Sequence, residues 1–91
     1  MSETFTPLEV AERIIGGIPV LAVICGLDAK APYHWRRAAQ GRAAGYIPIN
    51  RAGQLWRYCE ARKLPMRPEW LLVGATSDEV EAALSAPVAA E

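Results

Sequence analysis

Acidic residues are almost missing from the middle of this 91-residue chain. Between residues 30 and 67 the only acid is Glu60, although the whole chain carries ten acidic and ten basic residues and a net charge of +0. Nine of the basic residues lie in that same segment, and nine against one gives it a formal charge of +8. A segment so basic within a neutral protein predicts a surface for a polyanion, with nucleic acid as the first candidate.

The chain also lacks a long apolar run. No stretch approaches the roughly 18 residues that a membrane-spanning helix needs, so the sequence predicts no membrane contact. The first ten residues are polar and acidic, without the basic and apolar regions of a secretory signal. We therefore expect a cytoplasmic protein, associated with the nucleoid if it binds DNA.

Residues that bind metals or perform catalysis are few. His34 is the only histidine, and Cys25 and Cys59 are far apart, without a CxxC or Cys/His cluster. This composition predicts no metal site and no cofactor. Catalytic Ser/His/Asp arrangements and phosphate-binding glycine loops are missing too, which predicts that the protein is not an enzyme. The two thiols are expected to be buried and reduced. A disulfide between them is the alternative, if the helices that carry them meet.

Apolar residues recur at spacings of three and four along most of the chain, as in amphipathic helices. This periodicity predicts an all-α fold, a compact bundle of about five to six short helices. Capping signatures precede the first helix at Thr6-Pro7 with Glu9, and the last at Thr76 with Glu79. Helices are expected over residues 7–15, 19–25, 29–39, 49–63, a short stretch from Pro68, and 78–84. Residues 1–6 and 85–91 are expected to be tails of one domain, 7–84.

Two predictions concern the core. Residues 19–25 are apolar almost all round, so this helix should be the most buried one. Aromatic residues at helical spacing usually fill a core, and we expect this of the three tryptophans, Trp35, Trp56 and Trp70.

Residues 18–37 follow the pattern of a helix-turn-helix, in which the second helix enters the major groove of DNA. Counted from residue 18, the fifth position must be small and the ninth favours glycine, and Ala22 and Gly26 occupy them. The three inward positions hold Leu27, Pro32 and Trp35. Only Pro32 departs from the pattern, because proline inside a helix removes a hydrogen-bond donor and is tolerated only in the first turn. The regular part of the helix is therefore expected to begin as late as Ala31 or Pro32, after a looser approach.

In the order of its short motifs, the chain resembles the small phage-type helix-turn-helix regulators of the Cro/repressor class. More narrowly, it is similar to a subgroup common in alphaproteobacterial and phage genomes. The motifs that carry this resemblance are Gly16-Gly17, Trp35, Gly45-Tyr46-Ile47-Pro48 and Pro68-Glu69-Trp70-Leu71. The resemblance covers about residues 7–73, and Pro32 and Arg67 depart from it. It implies a DNA-binding transcriptional regulator of phage or phage-like genes, including those of gene transfer agents.

If the predicted helix 29–39 lies in the major groove, its outward side chains would contact the bases. Lysine and arginine donate to guanine, and tyrosine and histidine reach thymine methyls or base edges. The base-reading candidates are Lys30, Tyr33, His34 and Arg37. The phosphate-binding candidates, which would fix the register on the duplex, are Arg36, Arg42 and Arg51. The expected function is therefore a sequence-specific regulator that binds double-stranded DNA.

Two further expectations concern protein partners. A helix-turn-helix domain can also dock on RNA polymerase, a sigma factor or another regulator, which would make it a protein-interaction module. Such domains often bind two half-sites about one helical turn apart, which predicts a homodimer. The segment near Trp70 and the last helix are the expected interface.

Overall fold

The fold is described from a computed structural model over residues 3–38 and 41–85. Within these ranges the chain forms six helical segments and one pair of short strands. The all-α prediction is therefore confirmed as a mostly helical fold. The radius of gyration is 12.8 Å, close to the value of about 12 Å that compact domains of this length have.

The first helix, α1, spans Pro7–Ile14 and begins as the sequence predicts. The Thr6 hydroxyl accepts a hydrogen bond from the Glu9 backbone N–H, and the Glu9 carboxylate accepts one from the Thr6 N–H at 2.9 Å. This capping box satisfies two backbone donors that would otherwise lack partners. The last helix, α5, spans Ser77–Ser85 and is preceded by the same reciprocal bonds between Thr76 and Glu79.

The predicted tail of residues 1–6 is wrong for the part that the structure describes. Strand β1, Thr4–Phe5, pairs antiparallel with β2, Ala75–Thr76, which leads into α5. Phe5 is buried at 8 % exposure, so its ring fixes the segment to the core. Residues 1–2 and 86–91, where tails were also predicted, lie outside the described ranges.

Helix α2 spans Ile18–Cys25 and ends at Gly26. Gly26 has φ +69°, a left-handed conformation that glycine adopts without strain, as the sequence pattern predicts. The chain reverses there because the Leu27 N–H donates back to the Ala22 carbonyl at 2.8 Å. The prediction that this helix is the most buried is wrong, since Val20 is 42 % and Val23 79 % exposed.

The predicted helix over residues 29–39 is a shorter 3₁₀ helix, Ala31–Arg36, and residues 39–40 lie outside the described ranges. Its bonds run between residues three apart, as in Tyr33 N–H to Lys30 O at 3.1 Å. Pro32 has no N–H to offer an α-helical ladder. The Gly45 N–H donates to the Trp35 carbonyl at 2.7 Å. This carbonyl therefore accepts from a residue outside the helix, where a continuing helix would use it for its own hydrogen bonds.

The second half of the chain contains α3, Ile49–Arg62, and a single turn, α4, Trp70–Val73. Both lie where the sequence predicts helices. Gly74 then connects α4 to β2 with φ +88°. A side chain at this position would collide with the Phe5 carbonyl oxygen, so the strand pairing depends on glycine here.

One hydrophobic core joins residues from Phe5 to Val80. Trp35 and Trp70 are buried in it, each 5 % exposed, and Trp56 packs against it partly buried. Cys25 and Cys59 are buried free thiols, as predicted. Within the described ranges no helix is long and apolar enough to cross a bilayer.

Candidate nucleic-acid interface

The 3₁₀ helix divides its side chains between the core and the solvent. Pro32 and Trp35 point inward and are buried. Leu27, which occupies the remaining inward position of the pattern, is partly buried. Pro32 therefore occupies an inward position of the pattern, in the first turn of the 3₁₀ helix, where proline is tolerated because its missing N–H would have no helical partner.

The four base-reading candidates all lie on the exposed side of this element. Lys30 occupies the N-terminal cap position of the 3₁₀ helix, and Arg37 the C-terminal one. Tyr33 is 47 % exposed between them, and His34 is exposed beside it. The structure thus brings Lys30, Tyr33, His34 and Arg37 onto one short exposed segment, which we call the outer face of the 3₁₀ helix.

Arg36 extends from this outer face back to α1. Its Nη2 lies 3.0 Å from Glu12 Oε2, and its guanidinium carbon lies 4.9 Å from the centre of the Tyr33 ring. The Arg36 side chain is 52 % exposed and that of Glu12 only 23 %. Arg36 therefore links the first helix of the fold to an exposed aromatic side chain.

Arg42 is half-buried and supports the backbone. Its Nη1 donates to the Tyr46 carbonyl at 2.8 Å and to the Trp35 carbonyl at 3.4 Å. A third, longer contact joins the same nitrogen to the Arg37 carbonyl at 3.5 Å. Arg42 thus holds the end of the 3₁₀ helix to the segment after it, a structural role that the sequence does not predict.

Arg51 also has a structural role. From the first turn of α3, its Nη1 donates to the Cys25 carbonyl at 3.2 Å and to Gln54 Oε1 at 2.8 Å. Cys25 is the last residue of α2, where carbonyls carry the negative end of the helix dipole. The positive charge of Arg51 therefore stabilises the end of α2 just before the turn that leads to the outer face.

Burial controls the chemistry of the two thiols. Desolvation raises the pKa of Cys25, and the nearby Arg51 charge offsets part of this effect. Desolvation raises the pKa of Cys59 to about 11. Both thiols are therefore protonated at neutral pH, which makes them poor nucleophiles and poor metal ligands. No group of three or more potential metal ligands occurs among the described residues.

Glu12 contacts a candidate site residue at this surface, and sequence reasoning missed it. It lies 24 residues from Arg36 along the chain, so no local pattern connects the two. Glu12, Glu9 and Arg36 line an open groove between α1 and the 3₁₀ helix, together with Thr6, Leu8, Ala44 and Gly45.

The chain was compared with protein-family models, with curated proteins and with solved structures, and no match was found in any of the three.

Proposed function

We propose that this protein is a sequence-specific regulator of transcription that binds double-stranded DNA, with the outer face of the 3₁₀ helix in the major groove. The observation that carries the proposal is the common exposure of Lys30, Tyr33, His34 and Arg37 beside the buried Pro32 and Trp35. A helix that contacts bases in the major groove needs one side packed on the core and an opposite side that presents donors such as basic groups to the DNA.

The dimensions of the element suit this role. Six residues of 3₁₀ helix at a rise of about 2 Å per residue give a length of about 12 Å. The major groove of B-form DNA is about 12 Å wide. A groove of this width admits a helix by its diameter, and the short length of this element leaves only a few base pairs in reach. Neighbouring segments would bind phosphates.

The charges of the surface also support the proposal. Lys30, Arg36 and Arg37 lie on or next to the 3₁₀ helix, and among the residues that the structure describes only Glu12 forms an ion pair with one of them. Arg42 and Arg51, the other two phosphate candidates, hold the backbone on either side of this helix. We infer that they act mainly by fixing its position and contact phosphates less than Arg36 does.

A pair of charge-matched double variants tests the proposal. The duplex probe would be selected with the wild-type protein from a random pool, and a shuffled duplex would be the reference. Lys30→Ala with Arg37→Ala should weaken binding to the selected duplex at least tenfold at about 0.15 M salt, because good base contacts are worth about 1–3 kcal/mol each. Arg57→Ala with Arg62→Ala removes the same charge from α3 and should weaken it less than about threefold.

Salt dependence provides a second reading of the same experiment. Each phosphate contact contributes about −0.9 to the slope of log affinity against log salt. The wild-type slope should be steep on both duplexes. Arg36→Ala should make the slope less steep by about 0.9, the contribution of one phosphate contact. Equal binding by the two double variants, or a flat salt profile, would contradict the proposal.

A protein-interaction module is the second candidate, and one observation favours it. Pro19, Val20 and Val23 form an exposed apolar face on α2, with Val23 at 79 % exposure. Apolar patches on a protein surface often mark contacts with other proteins. Purified RNA polymerase, titrated against wild-type protein and against Val23→Lys, separates the candidates. If this candidate is right, the wild-type protein binds RNA polymerase in the absence of DNA, and Val23→Lys abolishes that binding.

A further inference from the structure

We propose that Glu12, on α1, is a positioning residue for DNA recognition that acts through Arg36. This inference rests on the proposed function and adds a residue that does not itself touch DNA. Glu12 holds the Arg36 guanidinium beside the Tyr33 ring. The side chains of Arg36 and Tyr33 are then ordered next to the outer face of the 3₁₀ helix before the protein binds DNA.

The contacts form a chain from the covered to the exposed side of the molecule. The Glu12 side chain is the least exposed member at 23 %, and its Oε2 lies 3.0 Å from Arg36 Nη2. The Arg36 guanidinium then lies 4.9 Å from the centre of the Tyr33 ring. Tyr33 is 47 % exposed and belongs to the base-reading candidates.

The physical advantage of this arrangement is preorganisation. A free arginine side chain loses much rotational freedom when it is fixed against a partner, and this loss weakens binding. A contact made already in the free protein removes part of that loss. Since a guanidinium has five N–H donors in a planar fork, bonding of one nitrogen to Glu12 leaves others for a phosphate.

The opposite role would be competition, in which Glu12 repels DNA and withholds Arg36 from phosphates. Two substitutions of equal charge distinguish the roles. Glu12→Gln keeps an oxygen that can accept from Arg36, whereas Glu12→Ala removes the acceptor. Both variants lose the same negative charge, so any repulsion of phosphates changes equally in the two.

Affinities of the two variants for the selected duplex are therefore compared directly, with the fraction of active protein determined by titration. Glu12→Ala should bind about three- to tenfold more weakly than Glu12→Gln, because only the alanine variant must order Arg36 during binding. In an Arg36→Ala background this difference should disappear. Glu60→Ala and Glu60→Gln, a matched pair on the exposed side of α3, should bind equally.

A measurement without DNA accompanies the comparison. The NMR signal of the Arg36 Nε–H group should report a more mobile side chain in Glu12→Ala than in Glu12→Gln, while both variants unfold at similar temperatures. Equal affinities of the two Glu12 variants, with the wild type still binding, would overturn this inference alone. Failure of the wild-type protein to bind any selected duplex would overturn the proposed function and this inference with it.

Discussion

Cys59 has none of its surface exposed, and burial raises the pKa of its thiol from an ordinary value of 9.0 to about 11. Nothing in the local sequence sets this value, since a cysteine on an exposed helix face would titrate normally. The same is true of Arg42 and Arg51, whose guanidinium groups bind backbone carbonyls that are distant in sequence or brought close by a turn. At the scale of single residues, burial and partners decide what each side chain does.

The raised pKa of Cys59 makes stability depend on pH in the alkaline range. Between about pH 9 and pH 11 the unfolded chain loses the thiol proton while the folded protein keeps it. The unfolded state then binds fewer protons, so the free energy of unfolding falls as pH rises through this window. Urea unfolding across this range should show a fall that is smaller in Cys59→Ala. An identical pH profile in the variant would contradict the prediction.

Among the secondary-structure elements, the 3₁₀ helix and the strand pair differ most from the sequence-based expectation. Periodicity predicts an α-helix over residues 29–39, but Pro32 and the bond from Gly45 to the Trp35 carbonyl shorten it. The strand pair has only two residues on each side, too few for an alternating pattern to be recognised. Capped helices such as α1 and α5 are predicted well because their start signals are local.

Gly74 tests how much the strand pair contributes to stability. Gly74→Ala should lower the free energy of unfolding by at least about 2 kcal/mol, because the residue has φ +88° and its new Cβ would meet the Phe5 carbonyl. Gly53→Ala is the matched control. It lies inside α3 with open space at the Cβ position, and it should raise stability by about 0.5–1 kcal/mol. Thermal and urea unfolding of both variants check the prediction, and equal effects would contradict it.

At the scale of the whole molecule, two of the exposed apolar surfaces on the described part of the chain are candidates for protein contacts. One is the α2 face around Val23. The other is a groove between α3 and α4, where Ile49 is 76 % and Leu72 44 % exposed. It is lined by Ile49, Ala52, Gly53, Trp56, Pro68, Leu71 and Leu72. The predicted dimer interface consists of the segment near Trp70 and the last helix, and this groove includes the first of these but no residue of α5. As a hypothesis, we assign the dimer contact to the groove.

Sedimentation equilibrium with two matched substitutions tests this hypothesis. The wild type should show a concentration-dependent dimer, and Leu72→Glu should shift it to the monomer, because a charge buried in an apolar interface is costly. Val23→Glu places the same charge on the exposed α2 face and should leave the dimer intact. A wild-type protein that stays monomeric at the highest concentrations would contradict the groove as a dimer interface.

The sequence by itself determined the helical class, the capped starts of α1 and α5, the left-handed Gly26 turn and the inward position of Trp35. These depend on spacing and local hydrogen bonds, which a linear pattern records. Only the tertiary structure decided the pairing of Thr4–Phe5 with Ala75–Thr76, the hydrogen bond from Gly45 to the Trp35 carbonyl, and the contact between Glu12 and Arg36. These join residues far apart in the chain or balance local preference against packing, so no local pattern contains them.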